Sequence, residues 1–225
     1  QAPKTLEAIN NRDCGWFHES KTGDFKKISG SPIAYWVSDN IRKIFTDVSP
    51  INKYCNAVVG LQTGDNDLFL RLWWEVDFQK VGLKYANHEE ALISDKKWFP
   101  FSKGGKFRKW YGNHEYLVNW FQNGKEIKSK KENDLKEGRI TPNNSRCWNQ
   151  SKYFNSFLTY SGITSSNNSC RIVPEGFVFD INTRVIFPIK ETDNLIILAF
   201  SNSNISQEFI KALNPTLAFN INNFN

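Results

Sequence analysis

At 225 residues the chain can form one ordinary domain, or two small ones sharing a core, and its 40% apolar and 23% charged residues exclude a disordered tail. No apolar run approaches the roughly 18 to 20 residues of a membrane-spanning helix, and Gln1-Ala2-Pro3-Lys4 has no signal-peptide character, so no membrane partner and a cytoplasmic location are expected. Lys plus Arg exceed Asp plus Glu by 29 to 23, which invites a polyanionic partner without naming one.

Residues 1–57 read as a helical lead-in: Ser38 or Asp39 can cap a segment in which Ile41, Ile44 and Phe45 recur at helical spacing, and Ser49-Pro50 ends it. Residues 57–77 read as two strands around Thr63-Gly64-Asp65-Asn66, the second carrying an alternating apolar face through Leu68, Leu70, Leu72, Trp74 and Val76. Lys103-Gly104-Gly105-Lys106 is a glycine-rich tip between residues 98–101 and 107–111, and Asn123-Gly124 closes a second hairpin candidate. Tyr116, Val118 and Trp120 alternate as the buried face of a strand, whereas residues 125–139 read equally as part of a polyanion-binding surface or as only a solvated helix or loop. Further strands are expected over residues 155–164, 170–173, 177–180 and 184–188, with Pro174-Glu175-Gly176 as a turn. Residues 193–200 and 203–213 have helical spacing, and Pro215 stops the second. The order predicts an α+β fold: a helical lead-in (1–57), a β-rich, mostly antiparallel domain (58–190), and a C-terminal helical segment (191–225) packing on it.

The positive charge is regional. Between Lys96 and Lys152 there are fourteen Lys or Arg against five Asp or Glu, a balance of +9 in a chain whose total is +6. Nine aromatics fall between Trp98 and Phe121, interleaved with Lys103, Lys106, Arg108 and Lys109, a mixture suited to nucleic acid because cations neutralise phosphates while rings stack on bases or brace the loop. Most of those rings are read as core, with Trp110 and Tyr111 supporting the loop from beneath.

Catalytic constellations are missing. There is no Gly-x-Ser-x-Gly, no His-Glu-x-x-His, no phosphate-binding or dinucleotide glycine loop, and His18, His88 and His114 lie far apart. Cys14, Cys55, Cys147 and Cys170 form no CxxC pair, so reduced thiols are expected and neither a disulfide framework nor a metal site. The residues themselves describe a polyanion-binding module without catalysis. A chain with no Met at all is expected to be a segment of something longer.

Gly60-Leu61-Gln62-Thr63-Gly64-Asp65-Asn66-Asp67-Leu68-Phe69 resembles the Gly-x-x-Thr-Gly-x-Asn-x-x-Phe that opens the target recognition domain of adenine-specific DNA methyltransferases in restriction-modification, including type II, and phage-defence systems. The wider chain is similar to PglX-type methyltransferases of BREX phage defence. That likeness runs through residues 30–38, Lys103-Gly104-Gly105, Arg108-Lys109-Trp110-Tyr111-Gly112-Asn113, Gly176-Phe177-Val178-Phe179-Asp180 and Leu213-Asn214-Pro215-Thr216-Leu217. The family's Asn/Asp-Pro-Pro-Tyr/Phe motif and its glycine-rich adenosylmethionine loop are absent, so the resemblance implies a recognition segment, inactive alone. Its parent would be a site-specific adenine methyltransferase that binds S-adenosylmethionine in another domain, leaving no cofactor in this segment.

The partners so implied are double-stranded DNA and the catalytic domain of the same chain. Lys103, Lys106, Arg108 and Lys109 are the candidate phosphate contacts. Asn113, Asn143, Asn144, Arg146 and Gln150 are candidate base readers, because Asn and Gln pair with adenine and Arg with guanine. Thr63 and Asn66, with Ser165, Ser166, Asn167 and Asn168, are secondary candidates. The rival reading is a protein-interaction or architectural module docking on a catalytic subunit, and RNA binding stands third.

Overall fold

The computed structural model describes residues 2–28, 31–161 and 168–213. Its helices are α1 (Ala2–Asn10), α2 (Thr22–Phe25), α3 (Asp39–Asp47), α4 (Asn66–Phe69), α5 (His88–Ile93), α6 (Phe121–Lys136), α7 (Asn194–Ser201) and α8 (Asn204–Leu213). The strands are β1 (Cys55–Val58), β2 (Leu70–Leu72), β3 (Trp98–Ser102), β4 (Tyr116–Asn119), β5 (Phe157–Ser161), β6 (Cys170–Val173), β7 (Val178–Phe179) and β8 (Thr183–Pro188). They make two four-stranded sheets, ordered β1-β8-β5-β6 and β2-β4-β3-β7, antiparallel except for the β3–β7 pair. The fold is α+β, as the element order predicts.

Alternation along the first sheet explains the layering, because successive side chains in a strand point to opposite faces. Phe157, Val173 and Val185 face a large core shared with Phe99, Phe101, Val118 and Trp120 of the region around the second sheet. Leu158, Tyr160, Cys170 and Ile186 face the opposite way, onto Ile197 and Leu198 of α7. At the centre Phe179 meets Tyr153 and Phe157 edge-on, with ring centroids 5.0 and 5.2 Å apart. Burying one such ring contributes about 1.5–3 kcal/mol. A third cluster, Ile28, Ala34, Val37 and Ala212, joins the lead-in to α8.

The capped helix after Ser38 is present, its hydroxyl accepting from the Ile41 amide at 3.4 Å. Strands at 170–173 and near 157, 178 and 184 also match expectation, as do both C-terminal helices. Residues 57–77, by contrast, are not a hairpin. Asp65 accepts from the Leu68 amide at 3.0 Å and caps α4, so the chain turns helically before β2 and enters the other sheet. Residues 73–75 then form a 3-10 turn and leave Trp74 57% exposed, which breaks the expected apolar face.

Residues 107–111 are likewise not a strand, since β3 pairs with β4 and the connection between them is a long loop over residues 103–115. Asn123-Gly124 closes no hairpin. Gln122, Asn123 and Gly124 take left-handed backbone angles that turn the chain from β4 into α6, which resolves residues 125–136 as helix.

Candidate nucleic-acid interface

The Gly60 to Phe69 stretch is explained residue by residue by local geometry. A Cβ at Gly60 would overlap the Phe179 carbonyl, so the two backbones approach only because no side chain is there. Leu61 then continues the second sheet past β7: its amide donates to the Phe179 carbonyl at 2.7 Å, and its carbonyl accepts from Ile181 at 2.9 Å. Buried Thr63 donates to the Asn66 side-chain oxygen at 2.7 Å, Gly64 holds φ +80°, and Phe69 is buried. Asn66 is exposed, while Thr63 is a turn lock.

Beyond Leu61 the sheet extends by one more bridge, to Cys147. β3, β7 and Leu61 run parallel and Cys147 runs against them. The residues that leave one end of this surface are therefore Lys103-Gly104 after β3, residues 180–182 after β7, Gln62-Thr63-Gly64 after Leu61, and Arg146 before Cys147. Neighbouring strands lie about 4.8 Å apart, so this end is about 15 Å wide from β3 to Cys147.

The tip is held by Thr183, fully buried, whose hydroxyl accepts from the Gly104 amide at 2.8 Å and donates to the Ser102 carbonyl at 3.1 Å. Lys103 lies with its ammonium 5.0 Å from the Tyr116 ring centroid. Burial pushes the nearby Asp180 carboxyl up, with Lys103 among the groups opposing that shift.

From the tip the 103–115 loop crosses to the edge of the first sheet. Trp110 donates to the Cys170 carbonyl and accepts from Ile172, both at 2.9 Å, forming a single parallel bridge to β6. It is the Trp110 backbone that anchors the loop, because the rings of Trp110 and Tyr111 are 52% and 59% exposed and do not lie beneath it. Tyr111 instead sits edge-on over His114, 4.6 Å between centroids.

Lys106 and Arg108 are exposed, Arg108 at 4.0 Å from Glu115. Lys109 faces elsewhere: its ammonium donates to the Asn202 carbonyl at 2.8 Å, at the C-terminal end of α7, where a cation is favourable. Asn113 is buried and donates to the Lys106 carbonyl at 3.0 Å, so it closes the loop rather than presenting an amide to a ligand.

The 143–150 segment divides in the same way. Asn143, Asn144 and Arg146 are exposed, with the Arg146 guanidinium 5.3 Å from the Trp148 ring centroid. Gln150 donates to the Cys147 carbonyl at 3.1 Å. Asn168 is buried and pairs with Gln207, while Ser165, Ser166 and Asn167, like residues 214–217 of the resemblance, lie outside the described residues.

Two residues that sequence reasoning missed are buried cations. Arg171, 1% exposed, donates to the Arg108 carbonyl at 3.1 Å and to the Ser169 hydroxyl at 3.3 Å. Lys131, 2% exposed, donates to the Arg146 carbonyl at 3.0 Å. A signal for Lys131 existed, since Ile127, Lys131 and Asp134 recur at helical spacing and form the buried stripe of α6. All four cysteines are free thiols, and burial pushes Cys55 up to about 11 and Cys170 to about 12.

No family model matches the chain. It is 40% identical over 217 residues to the adenine-specific methyltransferase PglX of Lacticaseibacillus casei (strain Zhang), an alignment covering 96% of this chain and 18% of that protein. It is 35% identical over 221 residues to the adenine-specific methyltransferase BrxX of Escherichia coli O9:H4 (strain HS), covering 96% of this chain and 16% of that protein. The chain is homologous to a segment of the PglX and BrxX proteins. It spans under a fifth of the length of either relative. No helix among the described residues is long and apolar enough to cross a membrane.

Proposed function

We propose that this PglX-like segment recognises DNA sequence for an adenine-specific methyltransferase of a BREX-type or restriction-modification system, with methyl transfer and S-adenosylmethionine assigned to the rest of the parent protein. The observation that supports the reading is the shared end of the extended second sheet, which the chain leaves at Lys103 and enters at exposed Arg146, with exposed Asn143 and Asn144 shortly before Arg146 and exposed Asn66 in the turn that follows Leu61. Lys106 and Arg108 continue the positive charge along the 103–115 loop. The names of both relatives support the same reading. Cations at this end would take phosphates, while Asn and Arg side chains read base edges. Extruding a base costs a few kcal/mol, which contacts of this kind offset.

The test is duplex binding by the 225-residue chain as salt is varied. The double variant K103A/K106A should weaken binding on all sequences and lower the magnitude of the salt slope by about one per lost contact. An unchanged slope removes the tip from the interface. A second reading, docking on a catalytic subunit, is favoured by exposed Trp73, Trp74 and Phe78 beside Glu75 and Asp77, an apolar and acidic face unsuited to phosphate. Capture of the remaining parent protein by a chain that fails to bind duplex would favour it.

A further inference from the structure

We infer that Lys131 is a positioning residue for the interface, a buried ammonium that fixes the backbone beneath Arg146 and so aims that guanidinium; the role in DNA contact rests on the function proposed above. Three observations carry it. Lys131 is 2% exposed in the middle of α6, where an ammonium is costly unless it is hydrogen-bonded. Its bond, 3.0 Å long, goes to the main-chain carbonyl of Arg146, fifteen residues further on, rather than to a carboxylate. Its ε-carbon passes near the Thr63-Gly64 turn, 4.0 Å from where a Cβ on Gly64 would stand. The side chain that holds the Arg146 backbone thus runs beside the neighbouring segment of the sheet end.

The arrangement is specific to this lysine. Lys130 beside it pairs with Asp134 at 2.7 Å, and Lys128 lies 5.3 Å from the Trp120 ring centroid. Burial holds the Lys131 ammonium below its usual range, which agrees with a desolvated position. Arg171 does for Arg108 what Lys131 does for Arg146, gripping a main-chain carbonyl of an exposed arginine from within.

The experiment combines a readout independent of DNA with one that requires it. In a Cys14→Ser background, the thiol next to Arg146, Cys147, is only partly buried, whereas Cys55 and Cys170 are 2% exposed. Well below its melting temperature, K131M should raise the rate of Cys147 modification by Ellman's reagent about tenfold once the rate is expressed per thiolate from its pH dependence, since the Lys131 charge also lowers the Cys147 pKa; tenfold is the factor that about 1.4 kcal/mol of lost local stability gives. K131R, which keeps a cationic donor of similar length, should restore slow labelling, and it stands in as the test of direction should K131M fold poorly.

On duplex DNA, K131M and R146A should each weaken binding about tenfold, and the double variant should be no weaker than R146A alone, because both act through one side chain. Unchanged labelling in K131M overturns the inference, as do losses that multiply in the double variant. If the wild-type chain binds no duplex while K131M still labels fast, the DNA reading fails and the hold on Arg146 stands.

Discussion

His114 shows how one buried side chain writes itself into the pH response. It lies under Tyr111 and against Phe177, with ring centroids 4.6 and 4.9 Å away, and burial lowers its pKa from the ordinary 6.5. His88 is lowered by burial too. In the unfolded chain these rings take up a proton near pH 6.5, but in the folded chain they do so only at lower pH. The unfolded state then binds more protons, so stability is complete above that value and falls as the pH drops through it. Thermal melts from pH 8 to 5.5 should show this decline, and His114→Phe should make it shallower. A slope unchanged in that variant would reassign the effect to His88.

Residue chemistry also separates the candidate contacts that were legible from those that were not. Arg146 and Asn143 are exposed, as polar residues in a turn-rich stretch suggest. Asn113 and Lys109 carry the same chemistry but are spent on the Lys106 and Asn202 carbonyls. Whether an amide faces solvent or a carbonyl depends on which backbone group the fold brings beside it, and residue type carries no record of that.

At the scale of elements, α7 and α8 hold the edge of the first sheet through side chains that imitate a strand. Buried Asn202 accepts from the Cys170 amide at 3.0 Å and donates to its carbonyl at 2.9 Å. Gln207 does the same for Asn168, at 2.8 and 3.1 Å. These side chains take up the buried Cys170 and Asn168 amides, while the Cys170 carbonyl also accepts from the Trp110 amide. Asn202→Leu, similar in size but without polar atoms, should destabilise the chain by about 2–3 kcal/mol in denaturant melts, because it strands the Cys170 amide. A loss within about 0.5 kcal/mol would mean that water or a backbone shift replaces the bond.

The periodicities of α7 and α8 were readable because apolar residues recur at helical spacing along each. The 57–77 stretch misled for a physical reason: alternation describes a strand only if the backbone stays extended, and the Asp65 cap with the Trp73 turn stops that.

For the molecule as a whole, the two ends of the described chain share a core. Phe45 of α3 meets Phe209 of α8 edge-on at 5.3 Å, above the cluster of Ile28, Ala34, Val37 and Ala212. Lead-in and C-terminal helix should then unfold together. Phe45→Ala and Phe209→Ala should each lower stability, with a coupling of about 0.5–1.5 kcal/mol in a double-mutant cycle. Additive losses would show that the rings contribute separately.

Local sequence determined the α+β class, most strands, both C-terminal helices and the concentration of charge between Lys96 and Lys152, because periodicity, turn residues and net charge act over a few residues at a time. The resemblance to PglX-type proteins was legible for the same reason, being carried by short ordered motifs. Only the tertiary structure decided that Lys103, the Gln62-Thr63-Gly64 turn and Arg146 leave one end of one sheet, while Lys109 and Asn113 turn inward. It alone buried Lys131 and Arg171 beneath the exposed arginines. Those outcomes depend on pairings between segments up to 119 residues apart, from Leu61 to Asp180, which no local pattern encodes.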